Sequence, residues 1–573
     1  MVVNGLAPSA SSITVAETLE LLEGRFAAMA DGIADNRYAL WLGSGISKQR
    51  FPGIGEIIRR VLSFLHAQGE EEGPDGPHRA ALNEALDIAN LPQRERDAID
   101  LAQPPDRWPN LADVGSRLWD NYSQLFDIRV EGRKADYLLW DGLDVRAVYG
   151  ADLTPDIEHL CIAILASEGA LSEIASTNWD GLIEGAAKSL NGSVEQLVRL
   201  IVLPEDTRKP GSALDLLKFH GCAVLARREP DTYRSALVAS RTQITHWTDK
   251  PELEPIRASM KQWATSKPTL MIGLSAQDQN IQQIFSAAKA DMPWGWPADP
   301  PAHIFAGDVL GQHHKSILKQ VYDSDYEENM TAIEEGALIK AYAKQLFAAV
   351  VLYVLVKKLC TYMREADAPL DDSDFEELAD GLGVLCRKVA ESADGHPDFI
   401  ERLITIQRRV LELFQQGIEP GATTAHGYRP IGNLPRHRIP SDAALKTNGI
   451  REMAATLAVL GRGEEKGHWT VSLGPVDGIE GAVKVSTKHS DSALFFAANS
   501  KAAVQIRAGV TGPDGDVAII NSTETLHRSV RSPAAKFGRT GESTIREVHM
   551  SALLEEASDA GSLEDHFRQE AAI

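Results

Sequence analysis

Tyr38-Ala39-Leu40-Trp41-Leu42-Gly43-Ser44-Gly45-Ile46-Ser47 is the stretch that decides the fold. Tyr38 to Leu42 is a short, mostly apolar run, the pattern of a buried strand. Gly43, Ser44 and Gly45 follow at once, and an amphipathic helical segment, 54 to 65, comes shortly after. Strand, glycine turn and helix is how an α/β fold presents backbone N–H groups to a phosphate. Glycine suits such a turn because a Cβ would block close approach of a pyrophosphate. An ordinary tight turn has the same local sequence, so the rest of the chain must decide between the two.

Around this stretch the chain alternates. Residues 14 to 35 carry Leu19, Leu22, Phe26 and Met29 at helical spacing. Glu70 to Pro77 is rich in Gly, Glu and Pro and predicts an exposed loop. Residues 80 to 140 are helical in pattern, broken at Pro92, Pro104, Pro105 and Pro109. This predicts a helical insertion (about 70–150) between the first two strands, placed to cap a ligand cleft. Further strands are expected at 171–176, 200–203, 214–219, 268–272 and 303–305, the last taken as the final strand, with helices at 155–168 and 181–190. Strands alternating with helices imply a mostly parallel, Rossmann-like sheet, whose ligand site lies beyond the carboxyl ends of its strands.

After about residue 325 the texture changes. Helices without intervening strands are expected at 332–364, 374–393 and 397–416, and a Gly/Pro/His-rich linker at 421–440. A further helix at 450–461 precedes short alternating runs: W-T-V-S-L, A-V-K-V-S, A-L-F-F-A-A, A-V-Q-I-R-A and D-V-A-I-I-N, with turns such as P-D-G-D between them. They predict a small antiparallel β module, followed by a tail (551–573) that is an acidic helix or disordered. The expected domains are 1–325 with its insertion, a helical domain or oligomerisation element at 326–420, and a linker plus small sensor or partner-binding module at 421–573. A length of 573 residues calls for two or three domains.

The net charge of −23 argues against broad nonspecific nucleic-acid binding by the whole surface. The basic run Arg528, Arg531, Lys536 and Arg539 is either a local phosphate contact or a solvated loop. Cys161, Cys222, Cys360 and Cys386 are widely spaced with no C-x-x-C pair. That argues against a structural zinc site and fits a reducing cytoplasm. The N-terminus has neither a basic n-region nor an apolar h-region, so no signal peptide is expected. The apolar run 346–356 is too short to span a bilayer and predicts a buried helix.

Four polar clusters fall at expected strand ends, in order: G-S-G-I-S at Gly43, S-T-N-W-D at Ser176, K-F-H-G at Lys218 and G-L-S-A-Q-D at Gly273. Taken singly, each has a structural reading. His220 can close a strand, Asn178 and Asp180 can cap the next helix, and Asp278 can be an N-cap. Trp294 and Trp296 can wall an adenine pocket or anchor a rigid loop. Together, over about residues 15 to 310, the clusters resemble the sirtuin family.

The resemblance implies a sirtuin fold with NAD as substrate and no metal required. It implies that Gly43, Ser44, Gly45 and Ser47 hold the NAD diphosphate. Asn178 positions water near the nicotinamide ribose, and Asp180 supports that side. His220 contacts the ribose hydroxyls and acts as base, while Gly273 and Ser275 lie near the adenosine half. Asp278 falls where sirtuin-like proteins of prokaryotes often carry G-x-S-x-x-D. Breaking the nicotinamide–ribose bond builds an oxocarbenium-like charge that an oriented amide and a shielded water suit, and an imidazole can take up a hydroxyl proton near neutral pH.

Two departures from the family matter. The four-cysteine zinc module after H-G is missing, with 232–252 polar and helical instead, and the I-P-D-F-R segment after the glycine loop is replaced by Lys48 to Gly53. Without a peptide groove, water becomes the natural acceptor. The chain then resembles the sirtuin-like effectors of bacterial antiphage defence, which hydrolyse NAD to nicotinamide and ADP-ribose and cause abortive infection. In related systems the partner is a short Argonaute, a HerA-type ATPase or a nucleotide-sensing protein, and nucleic acid is met through it. A cytoplasmic protein, off the membrane and in a homo-oligomer or such a complex, is the expectation. The alternatives are an NAD-dependent deacylase or ADP-ribosyltransferase, a noncatalytic NAD or ADP-ribose sensor, and a scaffold.

Overall fold

The structure, a computed structural model, describes residues 9–394, 396–417, 427–473, 482–509, 516–522 and 545–573. The basic run at 528–539, the Pro513–Gly515 part of the expected turn, most of the N-terminal arm and the first part of the 421–440 linker lie outside them.

β1 (Ala39–Leu42), β2 (Glu173–Ser176), β3 (Val198–Ile201), β4 (Leu214–Lys218), β5 (Thr269–Ile272), β6 (His303–Ala306) and β7 (Leu338–Ile339) form one sheet in the order β3-β4-β2-β1-β5-β6-β7. Every pairing is parallel. The strands are apolar on both faces because both faces are covered. Leu40 and Leu42 point into a core with helix Ile157–Ser167 and helix Ala343–Arg364, while Ala39 and Trp41 point into another with Trp247 and Phe285. The expected α/β architecture is therefore present, with further helical regions and a small C-terminal sheet.

The 39–306 strands lie where the apolar runs predict them, within a few residues. β7 corrects the expectation that 303–305 is the last strand. It also splits the expected 332–364 helix into Ser324–Gly336 and Ala343–Arg364. Residues 70–72, expected in a loop, continue helix Ile54–Glu72, and the 14–35 helix is two helices, Val15–Glu23 and Ala27–Ala34. The insertion between β1 and β2 is helical and builds its own apolar cluster against helix Ile54–Glu72, around Val61, Leu65, Leu82 and Leu118.

Helix Ala343–Arg364 is long and apolar enough to cross a membrane by length and composition, yet it is packed inside the molecule. Its Lys358 is fully buried. It donates to Glu168 Oε2 (2.6 Å), to the Glu168 carbonyl (2.8 Å) and to the Gly432 carbonyl. Glu168 also accepts from the Tyr428 hydroxyl (2.6 Å) and the Ile431 amide (3.0 Å). A buried charge is tolerable only when paired and hydrogen-bonded in this way. This hub joins the end of helix Ile157–Ser167 to the C-terminal half.

β8 (Thr470–Leu473), β9 (Val483–Ser486), β10 (Asp491–Ala497), β11 (Asp516–Asn521) and β12 (Ile545–His549) form a second sheet, ordered β12-β11-β10-β9-β8. It is mixed rather than antiparallel: β8-β9-β10 are antiparallel, β10-β11-β12 parallel. The reason lies in A-V-Q-I-R-A, expected as a strand, which is part of helix Ser500–Gly509. Asn499 Oδ1 accepts from the Ala502 amide (3.0 Å) and starts that helix. Ala502, Ala503 and Ile506 are buried while Val504 is exposed, a helical period and not an alternating one. A helical crossover allows the next strand to run parallel. The tail is ordered as helices Met550–Glu556 and Ala560–Ala571.

Candidate functional site

Parallel register sets the site. Leu42 pairs with Ser176 and with Ile272, and Ser176 pairs with Lys218. The residues that follow therefore emerge side by side from four adjacent strands at the carboxyl edge: Gly43 after β1, Thr177-Asn178 after β2, Phe219-His220 after β4 and Gly273 after β5. Neighbouring strands lie about 4.8 Å apart. The chain leaves β1 toward β2 on one side and β5 toward β6 on the other, so strand order reverses between β1 and β5, where doubly wound sheets bind ligands.

The glycines there have a role beyond admitting a ligand. A Cβ on Gly43 would lie 2.5 Å from the Gly273 carbonyl oxygen, and one on Gly45 2.5 Å from the Gly273 Cα. Gly273 itself has φ +64° and would clash with the Ile46 amide. The Gly43 amide donates to Ile272 O (3.2 Å) and the Gly45 amide to Gly273 O (2.9 Å). The glycines thus lock the turn after β1 against the turn after β5. That leaves Ser44 and Gly45 exposed at the rim and Ser47 buried beneath it. Ser275 is exposed.

Two polar groups flank this lock. On one side Asn178 Nδ2 donates to Ser47 Oγ (3.5 Å), and Ser47 Oγ meets His159 Nε2 (3.2 Å). Asn178 Oδ1 and His159 Nδ1 are buried with no hydrogen-bond partner among the described residues. Asp180 Oδ1 accepts from the Leu182 amide (3.1 Å), an Asx turn one residue ahead of Gly181, the N-cap of helix Leu182–Asn191. Its charge still reaches the site, opposing the burial that lowers the His159 pKa and adding to the burial that raises the Tyr149 pKa.

On the other side His220 Nε2 meets Asn280 Nδ2 (3.0 Å). With that amide donating, Nε2 is the unprotonated nitrogen and the ring proton sits on Nδ1. Burial lowers the His220 pKa, against an opposing contribution from the Asp278 charge, so the ring is neutral near pH 7. Asp278 sits at the N-cap of helix Gln279–Ala288 without a side-chain cap bond. Instead it accepts from the Tyr122 hydroxyl (2.8 Å), which ties the helical insertion to this edge of the sheet. Asn280 Oδ1 is also buried and without a partner among the described residues.

The two groups are bridged from below. Trp179 Nε1 donates to the His220 carbonyl (3.0 Å). Lys218, 1% exposed, donates to the Asp180 carbonyl and pairs with Glu184 (2.5 Å). Gly221, at φ +90°, turns the chain where a Cβ would meet the Ala236 carbonyl at 2.6 Å. Trp296 stands apart: it packs edge-on against Tyr322 (6.0 Å) and its amide donates to Asp325, so it anchors the 294–297 loop.

His159, Asn280, Tyr122 and the Lys218–Glu184 pair were not singled out in the sequence. Asn280 lies two residues past Asp278 in the same motif. His159 sits in an almost wholly apolar helix, where a lone histidine looks like core. The four cysteines are free. Asp156, Glu158 and His159 bring potential metal-ligating atoms within 4.8 Å of one another. Asp156, however, is already ion-paired with Arg50 (2.5 Å), and burial holds the Glu158 pKa high, so that corner does not fit a cation well.

A family model described as SIR2-like domain matches residues 172–346. This chain carries a SIR2-like domain. The match takes in β2 through β7, and with them Asn178, His220 and Gly273. β1 and its glycine turn fall outside it, yet they pair with β2 and β5 in the same sheet. SIR2-like domains use NAD as substrate. No curated protein matches the chain.

Proposed function

We propose that this protein hydrolyses NAD to nicotinamide and ADP-ribose, as a sirtuin-like effector of antiphage defence that kills by NAD depletion. The observation that carries the reading is the unpartnered, buried Asn178 Oδ1 beside the glycine lock, on the same strand edge as a neutral His220. Ser44 and Gly45 at the exposed rim, with Ser275, meet the diphosphate and adenosine half. Asn178 Oδ1 accepts a hydrogen bond from the attacking water and so orients its oxygen toward C1′. As the C1′–nicotinamide bond breaks, its electron pair leaves with nicotinamide and the water oxygen bonds to C1′. His220 contacts the ribose hydroxyls and, once the Asn280 amide gives up its bond to Nε2, accepts the released proton on that nitrogen. A low-dielectric, water-poor site strengthens each of these dipoles.

Absence of the cysteine module among the free cysteines favours water over an acyl-lysine as acceptor. Control falls to the C-terminal half, because helix Ala343–Arg364 abuts the Ser44–Ser47 turn directly. The isolated protein is expected to be weakly active until a partner engages that half. The partner would be a short Argonaute, a HerA-type ATPase, a nucleotide-sensing protein or further copies of the chain. Mass spectrometry of NAD incubated with the purified protein, with and without its genomic neighbours and an acylated peptide, tests this. Nicotinamide and ADP-ribose formed without peptide support it; products formed only with peptide overturn it.

A further inference from the structure

We propose that His159 is a positioning residue for Asn178, acting through Ser47; the proposal rests on the NAD-hydrolysing reading above. Three facts carry it. His159 lies near the start of helix Ile157–Ser167 and is fully buried, but it faces the glycine turn rather than the apolar core of that helix. Its Nε2 lies 3.2 Å from Ser47 Oγ, the oxygen that Asn178 Nδ2 also approaches at 3.5 Å. The far atom of the same amide, Asn178 Oδ1, is the buried acceptor without a partner. A planar amide has one freely turning bond at its end, so a hydrogen bond to Nδ2 decides where Oδ1 points.

The neutral ring fits this task. Burial lowers its pKa, with Asp180 and Asp156 opposing and Lys218 and Arg50 adding to the drop. A neutral imidazole carrying its proton on Nε2 donates to Ser47 Oγ. Ser47 then accepts from both His159 and Asn178, and its own hydroxyl proton is left for a ligand oxygen. The serine becomes a fixed node, the amide cannot flip, and Oδ1 stays turned to the reacting ribose. Precise orientation of this kind affects the chemical step more than ground-state binding.

The test compares steady-state NAD hydrolysis by wild type, His159→Leu, His159→Gln, Ser47→Ala and the His159→Leu/Ser47→Ala pair, in the protein with whichever partner activates it. His159→Leu is expected to lower kcat about 10- to 100-fold with KM within about threefold. His159→Gln, whose amide can donate to Ser47, should recover most of that loss. Ser47→Ala should lower kcat similarly, and the pair no further than the worse single variant. Wild-type kcat in a folded His159→Leu, no recovery in His159→Gln, or losses that multiply in the pair would overturn the proposal while leaving NAD hydrolysis intact. Should His159→Leu not fold, His159→Gln and Ser47→Ala carry the test: near-wild-type kcat in the first with an about 10- to 100-fold loss in the second supports the relay, and a loss in the first as large as in the second, or no loss in Ser47→Ala, overturns it. Nicotinamide release equal in wild type and Asn178→Ala would instead remove the NAD reading and this proposal with it.

Discussion

The two sheets of this protein treat their strand ends in opposite ways. In the five-stranded sheet, Asn499 and Ser522, just past the ends of β10 and β11, are engaged by the protein itself. Asn499 caps helix Ser500–Gly509 and donates to the Gln415 carbonyl (3.0 Å), and Ser522 donates to the Ala498 carbonyl (3.2 Å). In the seven-stranded sheet, Asn178, Asn280 and His159 each keep one buried atom without a partner among the described residues. A buried unsatisfied polar atom costs about 1–3 kcal/mol. Three around one strand edge mark a surface shaped for a ligand; in the other sheet Ser492 Oγ is likewise buried without a partner among the described residues, but at the start of β10, away from the Asn499 and Ser522 end. Joining the two is the Glu168–Lys358 hub, and helix Phe399–Gln416, whose Gln407 reaches Glu168 and whose far end meets β10.

The largest effect is expected at that joint. Lys358→Met leaves Glu168 buried without its cation and should destabilise the protein by about 3–5 kcal/mol in denaturant unfolding. A loss below about 1 kcal/mol would mean the regions are held together by apolar packing alone.

Next come the strand ends. Asn178→Ala and His220→Ala should each lower NAD hydrolysis about 10²- to 10⁴-fold, with melting temperature nearly unchanged. A large fall in melting temperature would assign these residues to packing instead. Gly45→Ala, pressed against the Gly273 Cα, should cost about 1–3 kcal/mol, and should weaken ADP-ribose binding in calorimetry.

Acid separates the sheets more gently. Burial pushes His303 down to about 3 and lowers the pKa values of His159, His220 and His314, all in or beside the seven-stranded sheet. Above about pH 6.5 both states are neutral and this stability is whole. As pH falls below it, the unfolded chain takes up protons first and stability drops, by at most about 1.4 kcal/mol per pH unit per histidine. Hydrolysis that depends on neutral His220 should hold level at pH 6.5 and decline only below it. The smallest effect belongs to the other sheet: Asn499→Ala removes one cap and should cost about 1 kcal/mol without touching activity.

The seven-stranded sheet was largely legible because a parallel strand buried on both faces is a bare apolar run, and its end is marked by the first polar residues. Gly43, Asn178, His220 and Gly273 were found that way. The second sheet misled because Ala503 to Ala508 fits two periods, and only the burial of Ala502, Ala503 and Ile506 selects the helix. Tyr122 meets Asp278 across 156 residues, a contact no local pattern encodes. His159 was hidden by its apolar helix, since its partner, Ser47, lies 112 residues earlier.

The central claim is that Asn178 and His220 act on one bound NAD at the carboxyl edge of the parallel sheet. Calorimetric NAD binding paired with nicotinamide release, in wild type, Asn178→Ala and His220→Ala, tests it most directly. The account predicts that both variants still bind NAD within about tenfold of wild type and release almost no nicotinamide. Release at the wild-type rate by either variant, or no NAD binding by the wild type, would contradict it.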